Sequence, residues 1–413
     1  PAHGLLGSLL RAGGRWRDLA ELERQMVGRE PASPARRVQL AQALLRTGAL
    51  SEAMAAADRA YALDPAGSEA ANVGAAIQAL LGHAREARFR FEAVLAGDAG
   101  NAAANAGLAA LDLAEGNYAS GFARHEERFN LPELAAFRGG TPRLAPMADS
   151  PDLEGKRVLV TAERAFSDTL QFLRYAPALA ARGATVIAEV QPQMVALARH
   201  IYGVSEVVAQ GDIGPGFDLT CAVGSLPHIM GTSIDTVPTP IPYIKVPDGE
   251  IARWRDRLAA AGERRRIGLC WSGDPTYALD GLRSMPLAAL RPLLDDPALA
   301  VHLLQGDRSE DDAAVVAQAS DAVDLGAELS SFIDTAGAIA AMDLVITVDT
   351  ATAHLAGALG VPVWVMLPRS ADWRWIERDG RSVWYPSARL FRQQHPQDWR
   401  PVVAAVHAAL GAG

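Results

Sequence analysis

Residues able to do chemistry gather in four short stretches, each directly after an apolar run. The first, TAERAFSDTLQFLRY (161–175), carries Glu163, Arg164 and Asp168 ahead of a helical pattern. The second, WSGDPTYALDGLRSMPL (271–287), carries Ser272, Asp274, Asp280, Arg283 and Ser284. The third, LLQGDRSE (303–310), carries Gln305 and Asp307. The fourth, VDTATAHLAGALGVPVWVMLP (348–368), ends a strand with Asp349 and Thr350 and opens a helix through Ala351, Thr352, Ala353 and His354. A helix start of this kind suits an anion, because its first N–H groups are unpaired, its dipole is positive there, and alanines let a ligand come close. Phosphate is the natural guest. Thr350 or Thr352 adds a hydroxyl, and His354 adds a donor, or a charge if protonated. The alternative is that Asp349 and Thr350 only cap the helix while His354 packs in the core.

These stretches must be held by a parallel sheet. Apolar runs at 156–161, 185–190, 205–210 and 218–223 alternate with amphipathic stretches, and alternation restarts at 265–273, 300–306, 322–326, 344–350 and 361–368. Strands alternating with helices predict right-handed βαβ crossovers, and open parallel sheets bind ligands at the carboxyl ends of their strands. All four polar stretches occupy that position. No Gly-x-Gly-x-x-Gly turn follows the first strand, which disfavours a dinucleotide-dependent dehydrogenase.

Ahead of the sheets the pattern is different. Gly14, Gly48, Gly82 and Gly116 follow one another at intervals of 34 residues, and Leu6, Leu40 and Leu108, Ala41, Ala75 and Ala109, Ala53 and Ala87, and Pro31 and Pro65 keep the same step. This is the tetratricopeptide period, clearest in RRVQLAQALLRTGALSEAMAAADRAYALDP (36–65). A single helix pair cannot cover its own apolar face, so such pairs stack into a solenoid whose groove commonly holds a polypeptide. A structural cap or a dimerisation surface is the alternative. The expected layout is repeats over 1–130, a Pro-rich linker over 131–152, and two Rossmann-like halves over 153–247 and 248–413.

Composition narrows the function classes. The 413 residues carry a net charge of −9 with no basic cluster, which argues against nucleic-acid binding. Cys221 and Cys270 lie in apolar runs and read as buried free thiols of a reducing compartment. No apolar stretch reaches the ~20 residues of a membrane span, and no leader pattern is present, so a cytoplasmic location is expected. No cluster of carboxylates or histidines suggests a metal site. The aromatic stretch at 370–393, with Trp373, Trp375, Trp384 and Tyr385, suits packing across the domain junction, while Arg369 and Arg374 suit a clamp on phosphate or carboxylate.

The fourth stretch, together with DTLQFLRYAP, WSGDP, RSMPL, DLGAEL, DWRW and WYPSARLFRQ, resembles the bacterial heptosyltransferase-like GT-B glycosyltransferases, in the branch with tetratricopeptide repeats fused ahead of the transferase. The resemblance covers essentially the whole chain. It implies an α-helical solenoid followed by an α/β GT-B fold of two Rossmann-like domains. It also implies a metal-independent, nucleotide-sugar-dependent protein O-glycosyltransferase. In an alphaproteobacterial subset the repeats capture flagellin, and the transferase adds a nonulosonic acid such as pseudaminic acid to Ser or Thr. A CMP-sugar is then the favoured co-substrate, with no bound cofactor. Carried over by position, Asp168 and Glu163 are catalytic, and Ser272, Arg283, Ser284, Gln305, Asp349, Thr350, Ala351, Thr352, His354 and Arg374 bind the donor. One departure stands out. Relatives read close to AEQGLGDTLQF where this chain reads AERAFSDTLQF, so Ala165 and Ser167 replace two glycines, and TYALDGL lacks the usual His and Asn. A different sugar and acceptor are expected; the alternative is a non-catalytic adaptor or chaperone with a degenerate transferase domain.

Overall fold

The computed structural model describes residues 2–131, 134–138, 142–147, 152–163, 165–212, 214, 216–277 and 279–411. The helical region consists of four hairpins: α1 (Ala2–Ala12) with α2 (Trp16–Arg29), α3 (Pro34–Arg46) with α4 (Leu50–Leu63), α5 (Ser68–Leu80) with α6 (Ala84–Gly97), and α7 (Ala102–Ala114) with α8 (Tyr118–His125). Each hairpin turns at one of the periodic glycines, whose φ values of +64°, +77°, +86° and +82° are costly for any residue with a Cβ. Ala41, Ala53, Ala75, Ala87 and Ala109 are buried where helices touch, which is why small residues recur there. Ser33 and Asn101 cap α3 and α7 by accepting from the N–H of Arg36 and Ala104. Leu6 breaks the pattern: its equivalents Leu40 and Leu108 are 9% and 1% exposed, but Leu6 is 46% exposed.

The remainder forms two parallel sheets. The first comprises β1 (Arg157–Thr161), β2 (Thr185–Val190), β3 (Val204–Ala209) and β4 (Leu219–Ala222) in the order β3-β2-β1-β4. The second comprises β5 (Arg265–Cys270), β6 (Leu299–Leu303), β7 (Val323–Asp324), β8 (Leu344–Val348) and β9 (Val363–Leu367), extended by β12 (Ala388–Arg392), in the order β12-β9-β8-β5-β6-β7. A small hairpin, β10 (Glu377–Arg378) with β11 (Arg381–Ser382), intervenes. In each sheet the chain steps outward from its first strand and then returns beside it, so the order reverses between β1 and β4 and between β5 and β8. Ligands of open parallel sheets sit at such reversals. Part of the expected linker is bound: Thr220 N–H donates to the Pro142 carbonyl (3.0 Å) and Leu144 N–H to that of Thr220 (2.9 Å).

A single hydrophobic core joins Tyr118 and Phe122 of α8, Phe172 of the first half, and Leu355, Trp373 and Trp384 of the second. The aromatic stretch thus packs across the junction, with Trp384 Nε1 donating to the Tyr118 hydroxyl (2.9 Å). The repeats meet the sheets by their turn edge. Trp16 Nε1 donates to the Pro275 carbonyl (3.4 Å), Gln397 Nε2 to that of Thr47 (3.4 Å), and the Ser370 hydroxyl to that of Leu80 (2.5 Å). At Gly116 an added Cβ would stand 3.2 Å from Ile234 and 3.7 Å from Ile376.

Candidate active site

The two order reversals face each other. After β1 the chain enters α9 (Phe166–Phe172), which packs against the helix Ala351–Ala358 that follows β8. Phe166 and Phe332 close one side of the cleft, their ring centroids 4.8 Å apart. Phe166, between Ala165 and Ser167, therefore has a packing partner on the opposite half.

At the α9 side both predicted catalytic carboxylates are engaged. Arg128 Nε and Nη2 donate to the two oxygens of Glu163 (2.9 and 2.7 Å), and Gly224 N–H also donates to Glu163 (3.0 Å). Glu163 is 6% exposed and ties the end of the repeats to the first sheet. Asp168 accepts from Arg374 Nη2 (2.7 Å). Burial pushes its carboxyl up from the ordinary value while Arg374 pulls it down. Arg374 also donates from Nη1 to Asp372 (2.9 Å) and lies over the Trp373 ring at 4.3 Å. It bridges two carboxylates instead of standing free to clamp a ligand. Arg369 is exposed and donates to the Gln394 carbonyl (2.5 Å), and Arg164 lies outside the described residues.

At the opposite side, Thr350 is the N-cap of the Ala351–Ala358 helix and makes no side-chain cap bond. The backbone N–H groups of Ala351 and Thr352 meet no acceptor among the described residues. The Thr350 hydroxyl turns inward to Thr347 Oγ1 (3.1 Å), so it does not serve the ligand. Thr352 is half-buried. His354 is 1% exposed, with Nδ1 at 2.9 Å from the Tyr385 hydroxyl and its ring beside Trp375. Burial, reinforced by Arg374, Arg174 and Arg283, drives its pKa well below the ordinary histidine range. The shift favours the neutral imidazole. Asp349 has His354 Nε2 at 3.9 Å and no arginine or lysine ion pair among the described residues. Burial and then the Asp372 charge push its pKa up to about 6.

Arg283 comes to this point from the second polar stretch, donating from Nη1 to the Asp349 carbonyl (2.7 Å) and from Nε to Asp280 (3.0 Å). The other predicted donor residues build the loop beneath. Gln305 Oε1 accepts from Trp271 N–H (3.2 Å) and Ser272 N–H (3.0 Å), its Nε2 meets the Ser272 hydroxyl, and Ser284 Oγ accepts from Gly273 N–H (2.9 Å). Ser272, Ser284 and Gln305 are therefore braces, not open contacts.

Three residues escaped sequence reasoning. Asp372 lies two residues before Arg374 in SADWRW, and an acid directly before a short helical turn was a readable cap signal. Tyr277 lies beneath the Arg283 guanidinium at 4.4 Å. Arg174 is buried without a carboxylate, donating to the Trp384 carbonyl (2.7 Å) and lying over the rings of Tyr385 (4.7 Å) and Tyr243 (5.0 Å). Nothing local marks that role. Among the described residues, no cluster of three metal-ligating side chains occurs and no helix is long and apolar enough to cross a membrane.

No family model matches the chain. It is similar to Protein FlbA of Caulobacter vibrioides, 27% identical over 324 residues, which are 72% of this chain and 53% of that protein. The chain thus spans about half the length of that curated relative. Among solved structures, it is similar to the E. coli ADP-heptose lipopolysaccharide heptosyltransferase II, at 15% identity over 62% of this chain and 100% of that one, with a TM-score of 0.45. An O-GlcNAc transferase of Thermobaculum terrenum matches over 100% of this chain and 91% of its own, at 12% identity and a TM-score of 0.33. In this chain helical repeats precede two parallel-sheet halves.

Proposed function

We propose that the chain transfers a sugar from a nucleotide sugar to a Ser or Thr hydroxyl of a protein captured by its repeats, with flagellin the expected acceptor. One observation carries this reading: the unpaired Ala351 and Thr352 amides, with Arg283 beside them, stand at a strand-order reversal directly opposite α9. Amides and a guanidinium at one point suit a diphosphate or phosphate leaving group, since they offset charge as it builds there. Arg283 and the helix end supply the positive charge that a cation would otherwise bring. The Asp349 carboxyl, poised near pH 6, suits hydrogen bonds with sugar hydroxyls. Asp168, oriented by Arg374, suits removal of the acceptor proton. A nonulosonic acid from a CMP donor fits the loss of the two loop glycines, because a different sugar requires a different wall at Ala165 and Ser167.

The sealed ion pairs of Glu163 and Asp168 favour a second reading, a binding module that keeps the fold without the chemistry. Calorimetry with CMP-, UDP-, GDP- and ADP-sugars separates the two. Binding of one of them, with added mass on co-expressed flagellin, supports the transferase; binding of none supports the module.

A further inference from the structure

Where the repeats lie against the second half, a cavity of about 290 Å³ separates α5 and α7 from the loop that ends at Asp349. Its floor is charged and belongs to the sheet half: Arg283, Asp349 and Asp372. Its roof belongs to the repeats and is wholly apolar, with Ala76, Ala79, Gly107 and Ala110 presenting nothing larger than a methyl group. Gly107 is bare because Phe91 lies flat on it; a Cβ there would come 2.3 Å from the ring.

Size and polarity limit what can enter. Small-molecule sites run from about 300 to 1,000 Å³, so this one sits at the bottom of the range, too small for an entire nucleotide sugar. A sugar pressed against the roof would leave hydroxyls without partners, at about 1–3 kcal/mol for each. A polypeptide segment meets neither objection. Its main chain can stay at the rim while an apolar side chain rests on the alanines and a neighbouring hydroxyl reaches the charged floor. Asp349, without an arginine or lysine ion pair among the described residues, stands at that end, where the donor sugar and the acceptor hydroxyl must meet.

We propose that the acceptor segment enters the active site through this cavity, and that Ala79 and Ala110 of the repeats select by size the residues flanking the modified hydroxyl. The proposal rests on the glycosyltransferase reading and deepens it, turning the repeats from a remote docking arm into one wall of the site.

The test fills the cavity from its exposed side. Ala110 is exposed on α7, whereas Ala79 is half-buried on α5 and packs against the repeat core, so a thermal melt of each variant accompanies the transfer assay. Ala110→Phe and Ala79→Phe are expected to reduce sugar mass added to co-expressed Caulobacter vibrioides flagellin by at least ~10-fold, the scale of pocket-size discrimination. Nucleotide-sugar affinity by calorimetry should stay within about twofold. Undiminished transfer by both phenylalanine variants overturns the proposal while leaving the glycosyltransferase reading intact. Loss of nucleotide-sugar affinity in the same variants also overturns it, because the cavity would then hold the donor. A parent chain that neither binds any nucleotide sugar nor modifies flagellin removes the underlying reading and this proposal together.

Discussion

The crossing from β1 into α9 and the crossing from β8 into the Ala351–Ala358 helix have the same topology and opposite chemistry. At the first, each acid is closed by an arginine from a distant part of the chain: Glu163 by Arg128, Asp168 by Arg374. At the second, two amides and the Asp349 carboxylate have no arginine or lysine against them, and the nearest guanidinium, Arg283, binds a carbonyl. A buried ion pair contributes little net stability once desolvation is counted, but breaking one is costly. The first crossing therefore ties the halves and repeats together through its ion pairs, while the second leaves polar groups without such partners among the described residues.

This contrast can be broken or sharpened by substitution. Asp168→Asn has the largest expected effect, a fall of ~10²–10⁴ in transfer rate with flagellin capture unchanged, read by intact mass and pull-down. Unaltered transfer would make the first crossing purely structural. Arg283→Ala is next, with a loss of ~10²-fold in transfer and weaker nucleotide-sugar binding by calorimetry. Asp349→Asn should lower transfer by about tenfold, yet raise thermal stability at pH 8. The sign follows from its pKa, about 6 in the folded chain against an ordinary 3.8. The unfolded chain ionises first, so stability falls as pH rises from 3.8 to 6 and stays low above. The asparagine variant lacks that slope, and thermal melts at pH 5 and pH 8 would show it. Glu163→Gln should have the smallest effect on the rate of transfer. It leaves Arg128 with Glu126 as its carboxylate partner (2.8 Å), and loss of the buried pair with Glu163 costs up to about 3–5 kcal/mol, visible in chemical denaturation.

The parts of the molecule governed by periodicity were readable from the chain. Glycine every 34 residues marked the hairpin turns, and apolar alternation placed β1 through β9 within a few residues. The strand β12 was missed because ARLFR, with arginine near both ends, reads as surface; it is an edge strand with one fully buried residue, Phe391. The candidate site was readable as positions but not as roles. Asp168 and Arg374 are 206 residues apart, and no local pattern announces their ion pair. Thr350 looked like a ligand hydroxyl because its inward neighbour, Thr347, is visible only once the strand is in place. The docking of repeats on sheets was equally hidden, since turn residues such as Thr47 and Leu80 contribute main-chain oxygens that every residue possesses.

Attachment through successive hairpin turns makes the sheet half a ruler for the solenoid. An extra 34-residue module spliced between α4 and α5 would slide Leu80 away from Ser370 and Gly116 away from Ile376. The number of hairpins between those seams is therefore locked by the sheets on which they rest.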